Sequence, residues 1–367
     1  MRAGLLLTSR APFRYRLRAS RRELLARYLR QIPTEENVAS PKSVLITGGA
    51  GFIGSHLVDD LLASGHRVTV FDNFSSGLRE NLRTDDVEIV TGDVLDRDAV
   101  IAAARGKDVI SHQAAQLEIT KCLEDPIGDL RTNLIGTLNV LEAARLAGVE
   151  RTINASSACI YGQAVAPPSV EEGPHDPNWS YGVSKLAAEK YAQVFSNDYG
   201  FPVFSLRYGI VYGPREWYGR VLTIFLKRAL DGRPPVVFGA GAQLRDFVYV
   251  DDVVAVHRAC METALTGAHS FNAGTGIATS IADLADLVCD VTGIAAKPLR
   301  ENVAPGERSE LVDGRMRLPA ELGVMHLSPA KTERLLGVRL QTPLRDGIAR
   351  EWAWLREHPQ RWNVMHY

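Results

Sequence analysis

The feature that most constrains the fold is a glycine-rich turn between two hydrophobic segments near the start of the chain. Val44–Thr47 has the β-rich composition of a buried parallel strand, and a helix is predicted over His56–Ser64. Gly48, Gly51 and Gly54 lie between them. Glycines there permit a tight turn, let the backbone approach a pyrophosphate group and allow the helix to pack closely on the strand. The free N–H groups at the start of the helix would then face the anion.

The spacing of this turn is GxxGxxG rather than the GxGxxG of the standard dinucleotide fingerprint, so its context decides the interpretation. Asp72 ends a second predicted strand about 20 residues on, where a carboxylate can accept both hydroxyls of an adenosine ribose. A 2′-phosphate would be repelled there, which favours NAD over NADP, although Arg79 could soften that preference. We therefore predict an NAD site that includes the turn residues Phe52 and Ile53.

Two further polar residues are assigned to the same site. Asn73 follows Asp72 directly, and Asp93 ends the third predicted strand, near the expected position of the adenine. For both aspartates the alternative is a strand-end turn residue with no ligand, and for Asp93 that alternative is equally good.

Further strands are predicted over Arg67–Phe71, Val87–Val90, Asp108–Ser111, Thr152–Ala155 and Val203–Arg207, with a helix over 134–146. Alternation of strands and helices predicts an α/β fold with a doubly wound parallel (Rossmann) sheet. After residue 207 the pattern is less regular, which indicates a smaller C-terminal α/β substrate lobe. We divide the chain into an Arg-rich extension (1–40), an NAD-binding domain (41–207) and a substrate-binding lobe (208–367), some segments of which return to the sheet.

Composition and charge argue against several classes of partner. The formal net charge of −1 over 367 residues gives no field that would favour nucleic acid or a membrane surface. No apolar run approaches the roughly 20 residues that a membrane span needs. The 4 cysteines and 9 histidines are scattered, without the spacing of a zinc site or a disulfide framework, so no metal is predicted. A cytoplasmic location is the default expectation.

The N-terminal extension departs from this balance. Residues 1–32 are rich in arginine and contain one acid, Glu23, and Ser20–Gln31 could form a basic amphipathic helix. Such composition is typical of an organelle transit peptide or a surface-binding arm. The alternatives are a poorly ordered extension and a start codon placed too early.

A tyrosine and a lysine four residues apart form the clearest catalytic pattern. Tyr181 and Lys185 would lie on one face of a helix. A phenol has a pKa of about 10, but a nearby ammonium group and a positively charged nicotinamide would both favour the phenolate as a base. This pattern is common by chance, but Ser157 follows the fifth predicted strand, whose carboxyl end opens on the ligand crevice. Its hydroxyl could bind the substrate oxygen that Tyr181 deprotonates.

Taken together, these segments resemble the extended short-chain dehydrogenase/reductases of the NAD-dependent epimerase/dehydratase family, such as UDP-sugar 4-epimerases. The resemblance runs from about Val44 to Gly337. It rests on Gly48–Gly54, Asp72–Gly77, His112–Gln116, Asn133, Ser157, Tyr181, Lys185, Tyr212–Arg215 and Gln243–Asp252. It implies that Ser157, Tyr181 and Lys185 are catalytic, with Tyr181 acting first as base and then as acid. The motifs are specific for the family and much less so for the substrate.

The resemblance also assigns roles outside the catalytic three. Asn133 would belong to the cofactor site and help to hold the proton network of Lys185. Arg245 would meet the substrate diphosphate, a natural target for a guanidinium group, and Arg215 is assigned to the same substrate site. For Arg245 the alternative is an ion pair with a neighbouring carboxylate. The family pattern further implies a homodimer.

The two positions after Ser157 bear on the reaction. The resemblance implies hydride transfer from a sugar carbon to NAD, and the fate of the keto sugar then defines the enzyme. Dehydratases of the family have an Asp-Glu pair at these positions and decarboxylases a glutamate at the second, whereas this chain has Ala158 and Cys159. The remaining simple outcome is return of the hydride to the other face, so we predict a nucleotide-sugar epimerase that acts at C4 of a UDP-sugar.

Several alternatives stay open. Ile210 stands where an asparagine usually contacts the nucleotide sugar, and the 306–332 region is longer than usual, so dTDP, GDP or CDP could replace UDP. An unusual insert, Glu216–Tyr218, could line the sugar pocket or pack on the surface. A second interpretation is an enzyme that decarboxylates or reduces a nucleotide sugar on the same scaffold. A third is a non-catalytic NAD-binding protein.

Overall fold

The structure, a computed structural model, describes residues 40–82, 85–163, 166–216 and 218–364, with side chains as far as residue 361. The predicted Arg-rich extension, apart from Ser40, lies outside the described residues, as does Trp217 of the insert.

The first half of the chain alternates strands and helices, as the sequence predicts. The strands are β1 (Ser43–Thr47), β2 (Arg67–Asp72), β3 (Glu88–Thr91), β4 (Val109–His112), β5 (Arg151–Ser157) and β6 (Val203–Tyr208). The helices are α1 (Phe52–Ala63), α2 (Arg97–Ala104), α3 (Ile119–Glu124), α4 (Pro126–Leu130), α5 (Gly136–Ala147) and α6 (Ser180–Tyr199). The predicted start of α1 at His56 is four residues late, because the last glycine of the turn already lies in the helix.

Local sequence explains several of these boundaries. The Asp96 side chain accepts a hydrogen bond from the Ala99 N–H and so caps the start of α2. Gly148 and Gly200 end α5 and α6 in the left-handed conformation, which glycine adopts without a steric penalty. All five residues of β1 are buried, as expected for a strand covered on both faces.

The second half contains shorter strands with little hydrophobic pattern. They are β7 (Ile210–Tyr212), β8 (Val236–Phe238), β9 (Leu244–Tyr249), β10 (Ala268–Ala273), β11 (Ala278–Ser280), β12 (Leu299–Glu301) and β13 (Val324–Met325). The helices are α7 (Val221–Leu230), α8 (Val250–Glu262), α9 (Ile281–Thr292), α10 (Ala330–Leu336) and α11 (Leu344–Glu357). Helix α11 packs on the core through Ile348 and Leu355.

The central sheet has 7 strands in the order β10-β6-β5-β4-β1-β2-β3, all parallel. The chain places β2 and β3 on one side of β1 and then crosses to β4 on the other, where Thr47 lies opposite His112. A ligand crevice is expected at the carboxyl ends of the strands at such a switch point. The predicted doubly wound parallel sheet is confirmed, and β10 is the segment of the second half that returns to it.

A smaller sheet in the second half is built around β9. Strand β11 pairs with β9 in the antiparallel direction, while β7 and β13 pair with it in the parallel direction. Strands β8 and β12 form a separate parallel pair. These elements follow β6 in the chain. Among the described helices, none has the length and apolar character needed to cross a membrane.

Candidate active site

The glycine turn between β1 and α1 is packed so closely that side chains would not fit. Gly48 has φ 70°, and its N–H donates a hydrogen bond to the carbonyl oxygen of Phe71 at 2.9 Å. A Cβ on Gly54 would lie 2.2 Å from the carbonyl oxygen of Gly48, and one on Gly48 would lie 2.6 Å from the backbone nitrogen of Ala114. The glycines therefore let α1 pack on the turn and the turn pack on the loop after β4, and Gly51 at the start of the helix lines a cleft.

This cleft, of 430 Å³, follows the carboxyl ends of the strands from the glycine turn to α6. It contains every residue predicted for the cofactor site except Asn133, namely Gly48, Gly51, Phe52, Ile53, Gly54, Asp72, Asn73, Asp93, Tyr181 and Lys185. Ser156 also lines it, and no described residue gives the buried Ser156 Oγ a hydrogen bond. A buried hydroxyl without a partner is rare and suits a site that receives a polar ligand.

Asp72 is fixed at the base of the cleft by the backbone around it. Its carboxylate accepts hydrogen bonds from the N–H groups of Ala50 at 2.9 Å and Phe74 at 2.8 Å. Burial raises the pKa of Asp72, and these two hydrogen bonds oppose that rise. Asp93 accepts from the Asn73 side chain at 2.9 Å, so the two predicted adenosine-side residues contact each other.

Arg79 is held beside this end of the cleft rather than in it. Its guanidinium group lies 4.1 Å from the centroid of the Phe74 ring and donates to Thr91 Oγ1 at 3.1 Å. It is absent from the described lining of the cleft. The charged groups that line this end of the cleft are therefore the carboxylates of Asp72 and Asp93, and not the Arg79 guanidinium group.

Asn133 is completely buried behind the cleft. Its side chain accepts from the Gln116 N–H and donates to the Gln116 carbonyl oxygen, both at 2.9 Å, and it donates to Asp129 at 2.6 Å. Gln116 itself lines the cleft. The structure thus places Asn133 in the packing of the cleft wall through Gln116, and its role in the proton network of Lys185 stays a prediction.

The three predicted catalytic residues meet at the far end of the cleft. Tyr181 and Lys185 lie in α6, with the Lys185 Nζ 5.9 Å from the centroid of the Tyr181 ring and donating to the Ala155 carbonyl oxygen at 3.0 Å. Ser157 ends β5, and its side chain is hydrogen-bonded to Tyr181 and accepts from the Cys159 N–H at 3.1 Å. A strand end and one helix face therefore bring these groups together.

Burial acts on both ionisable members of this group. It raises the pKa of Tyr181, while the Arg220 charge and the Ser157 hydrogen bond oppose that rise. Burial also lowers the pKa of Lys185 to about 8, against the Asp129 carboxylate, which favours the ammonium form. Without a ligand, the phenol is therefore a weaker acid than in water. A phenolate would need additional positive charge in the cleft.

A second cavity, of 240 Å³, adjoins the cleft at Tyr181. Both cavities are lined by Leu117, Tyr181, Tyr208 and Arg220. Most of the other walls are apolar and come from α7, β8 and the segment that leads to β13, among them Ile224, Phe225, Val236, Phe238, Val312, Met316, Leu318 and Met325. We call this cavity the pocket.

Most of the charged side chains that line the pocket carry a positive charge. Its described lining includes four arginines, Arg220, Arg245, Arg315 and Arg317, and one acid, Glu321. Glu321 lies 3.6 Å from the Arg245 guanidinium and accepts a hydrogen bond from Arg317 at 3.1 Å. Positive charge thus exceeds negative charge in a largely apolar cavity, which suits an anionic ligand.

Sequence reasoning found Arg245 but missed the other three pocket arginines. Arg315 and Arg317 lie in a segment without regular secondary structure, where no periodicity relates a residue to the site. Arg220 closely follows the insert that the sequence singles out, and this closeness was the signal that could have identified it as a site residue. Tyr208, which lines both cavities, was also missed. Its hydroxyl donates to Gln113 of the cleft at 3.0 Å.

Arg215, predicted to contact substrate, lies elsewhere. Its guanidinium group is 2.5 Å from the Asp59 carboxylate of α1, and it lines neither cavity in the described part of the chain. The position argues against a direct contact with substrate, because the ion pair turns the side chain toward α1. Ile210, the residue in place of the expected asparagine, does line the pocket.

The two positions after Ser157 carry no carboxylate, as the sequence states. Ala158 is buried beside the pocket, and Cys159 lines it with a thiol whose pKa is raised by burial. Within the described residues, no three or more His, Cys, Asp or Glu side chains are grouped so that they could hold a metal ion.

Comparison with known proteins identifies the family. Residues 44–274 match the profile of the NAD dependent epimerase/dehydratase family. The chain is 36% identical over 326 residues to a UDP-glucose 4-epimerase of Mycolicibacterium smegmatis, covering 86% of this chain and 99% of that protein.

Solved structures give the same result. The UDP-glucose 4-epimerase of Thermotoga maritima, determined with UDP-glucose, has a TM-score of 0.79 and 32% identity over 86% of this chain and 99% of its own. The UDP-glucose 4-epimerase of Thermus thermophilus, in complex with NAD, has a TM-score of 0.76 and 36% identity over the same shares. Given also the glycine turn and the Ser157, Tyr181 and Lys185 group, the chain belongs to the NAD-dependent epimerase/dehydratase family.

Proposed function

We propose that this protein is an NAD-dependent nucleotide-sugar epimerase that inverts C4 of a UDP-sugar, with UDP-glucose as the first substrate to test. The observation that carries the proposal is the position of Tyr181 at the junction of the cleft and the pocket, hydrogen-bonded to Ser157. A dinucleotide in one cavity and a nucleotide sugar in the other would meet at this phenol.

The residues of the cleft fit NAD. The closely packed glycine turn leaves the N-terminus of α1 available to a pyrophosphate, and the buried Asp72 carboxylate can accept the ribose hydroxyls. When bound, NAD supplies the hydride acceptor and donor of the reaction. The remaining cleft residues predicted for this site, such as Asn73 and Asp93, would hold the adenosine end.

Tyr181 would move the proton. It takes the proton of the sugar C4 hydroxyl as hydride leaves that carbon, and returns it when the hydride comes back to the other face. Ser157 holds the same oxygen by a hydrogen bond. The Lys185 ammonium, the charge of the bound nicotinamide and Arg220 favour the phenolate, and thereby counteract the effect of burial on the pKa of Tyr181.

The pocket would take the nucleotide sugar. Arg245, Arg315 and Arg317 supply guanidinium groups for a diphosphate, and the apolar walls around Val236 and Phe238 suit a base. The Arg245–Glu321 contact of 3.6 Å, the ion pair considered as the alternative, is compatible with this role because the guanidinium group has further donors.

The chemistry of the pocket favours epimerisation over elimination or decarboxylation. Those reactions need a free acid–base carboxyl group near the reacting carbons. Among the described lining residues, Glu321 is the one carboxylate, and it is paired with Arg245 and Arg317. The keto sugar then has one simple fate, which is to turn over and accept the hydride again.

The test is incubation of the purified protein with NAD and a panel of UDP-, dTDP- and GDP-sugars. Products are read by mass spectrometry and proton NMR. We expect a product of unchanged mass with an altered C4 proton coupling, formed from UDP-glucose without net NADH. Loss of water or carbon dioxide would instead assign the chain to another reaction of the family. The absence of turnover of every sugar would favour a non-catalytic NAD-binding protein.

We also propose that the protein is a cytoplasmic homodimer. Exposed apolar side chains lie on α4 and α6, which pack on each other, including Ile127 at 65% and Val183 at 53% exposure. Such residues on adjacent helices suit an interface with a second copy. The four cysteines are buried thiols, as is usual in a reducing compartment. Light scattering should give twice the monomer mass, and Val183→Lys should lower it.

A further inference from the structure

Two buried carboxyl groups, Glu216 and Glu351, interact with each other behind the pocket. Glu216 belongs to the insert after β7, and Glu351 lies in α11. Their side chains are among the most buried acids, with residue exposures of 4% and 1%. Among the described residues, none of their four oxygens has a hydrogen bond of ordinary geometry. The Thr223 hydroxyl group beside Glu216 and the Gly213 backbone beside Glu351 make weaker contacts that favour the ionised forms. Two adjacent buried carboxylates would repel each other strongly, so the pair is expected to keep one proton.

The counter-charge of this pair is Arg220. Its guanidinium group lies 3.7 Å from Glu216 and donates to the Val211 carbonyl oxygen at 3.1 Å. Arg220 lines both the cleft and the pocket, and its charge acts on the phenol of Tyr181. A line of electrostatic contacts therefore runs from Glu351 through Glu216 and Arg220 to Tyr181.

We propose that Glu216 is a positioning residue that holds Arg220 at the junction of the two cavities, and that Glu351 behind it carries the single proton of the pair. The inference rests on the proposed function, because Arg220 is then held where sugar, cofactor and Tyr181 meet. With Glu216 ionised and Glu351 neutral, one negative charge balances one guanidinium group behind the pocket.

The other ionisable groups around the pair are compatible with an ionised Glu216 and a neutral Glu351. Tyr212 and Tyr249 face Glu351, and burial raises the pKa of both, to about 12 for Tyr249. From α8, Asp252 acts on Tyr212 and Asp251 acts on Tyr249, and Arg350 of α11 acts on both tyrosines. The two phenols therefore stay neutral at the pH of any assay and add no charge beside Glu351.

The titration of Glu216 makes the inference measurable. Burial raises the pKa of Glu216 to about 7, against the attraction of Arg220. Below that pH Glu216 gains a proton and no longer holds Arg220. Burial, and after it the negative charge of Glu216, raises the pKa of Glu351 well above its usual value, so Glu351 is the one that stays protonated.

The experiment compares the same substitution at the two positions. Glu216→Gln removes the charge that holds Arg220, and we expect a roughly 10- to 100-fold lower kcat/KM, because a misplaced site group has effects of that size. In the wild type, kcat should fall below pH 7 as Glu216 gains a proton. We expect this fall to be absent in Glu216→Gln. Glu351→Gln imitates the neutral acid, so it should keep kcat/KM within about threefold of wild type and keep the acid-side fall.

Two further variants separate positioning from folding. Glu216→Asp, which restores the charge with a shorter reach, should recover part of the activity. Glu142→Gln removes a glutamate that pairs with Arg97 and Arg145 far from the pocket, and should match wild type. If Glu216→Gln does not fold, Arg220→Lys tests the same contact from the other side, with the same expected loss. Equal losses at positions 216 and 351, or an unchanged pH profile in Glu216→Gln, would overturn the inference.

A measurement without turnover distinguishes this inference from the proposed function. At pH 7.5, infrared spectroscopy should detect a buried protonated carboxyl group in the wild type that is missing in Glu351→Gln. If no sugar is turned over but this band is found, the proposed function fails and the shared proton stands. If sugars are epimerised but the wild type has no such band, the inference fails alone.

Discussion

The two cavities that meet at Tyr181 are built from different parts of the chain. The cleft is lined mainly by the turns that follow β1, β2, β3 and β4, and its glycine turn is packed backbone against backbone. The pocket is formed by side chains, and its arginines come from the start of α7, from β9 and from the irregular segment before β13. A site made of backbone depends on glycine and on strand ends, whereas a site made of side chains depends on how distant segments pack. The cleft should therefore be sensitive to added atoms, and the pocket to removed charge.

The largest effect is expected at the residue that both cavities share. Tyr181→Phe removes the proton carrier, and turnover should fall by roughly 10²- to 10⁴-fold, the usual contribution of a general acid–base group. Binding of NAD and of UDP, measured by calorimetry, should change little because the ring is kept. Tyr191→Phe is the matched control on the same helix, since Tyr191 is 46% exposed. Similar activity in both variants would remove Tyr181 from the mechanism.

The next effect tests whether backbone packing defines the cleft. Gly54→Ala would place a Cβ 2.2 Å from the Gly48 carbonyl oxygen, so the turn must shift and affinity for NAD should fall by roughly 100-fold. Affinity for UDP should stay within about threefold because the pocket is built elsewhere. Gly323→Ala, whose Cβ would have no neighbour nearer than 3.8 Å, is the control. Equal loss of both ligands in Gly54→Ala would mean that the two cavities are not independent.

Removal of charge from the pocket should weaken binding of the nucleotide sugar but not of NAD, the reverse of the effect expected for Gly54→Ala. Arg245→Ala should weaken UDP-sugar binding by roughly 10- to 100-fold, the value of charge-assisted hydrogen bonds, and leave NAD binding intact. Arg215→Ala is the control, because that side chain pairs with Asp59 outside both cavities. A larger loss of UDP-sugar affinity in Arg215→Ala than in Arg245→Ala would reverse this assignment.

The smallest effect concerns stability. The pKa of Glu216 is raised from 4.5 to about 7 in the folded protein, so the folded state binds more protons than the unfolded state between these values. This contribution to stability is complete below pH 4.5 and is lost as pH rises toward 7. Relative to wild type, Glu216→Gln should gain about 2 kcal/mol of unfolding free energy between pH 5 and pH 7.5 in urea titrations. A difference that is independent of pH would contradict the raised pKa.

The same contrast explains what the sequence could predict. The first six strands of the central sheet, the glycine turn and Asp72 follow from local composition and spacing, because each is set by residues close to it in the chain. Ser157, Tyr181 and Lys185 were also predicted, since a strand end and one helix face fix their positions. Strand β10 was missed as a member of the central sheet because its pairing with β6 joins segments about 60 residues apart, which no local pattern reveals.

The contacts of several site residues could not be predicted from the sequence, for the same reason. Arg215 follows a recognisable motif, but its side chain is directed by Asp59, a residue of α1 far away in the chain. Arg220 lies five residues after Arg215, directly before α7, and its side chain lines both cavities. Asn133 was predicted to belong to the cofactor site, but its hydrogen bonds to Gln116 and Asp129 inside the cleft wall could not be read from the sequence. Motif position thus predicted the neighbourhood of these residues but not their contacts.

The most direct test of the proposed epimerisation follows one atom. UDP-glucose with deuterium at C4 is incubated with the NAD-loaded protein in ordinary water, and the products are separated and read by mass spectrometry and NMR. The account predicts UDP-galactose that keeps the deuterium at C4, because the hydride leaves and returns within one closed site. Product with hydrogen at C4 would contradict it, as would a product that has lost water or carbon dioxide.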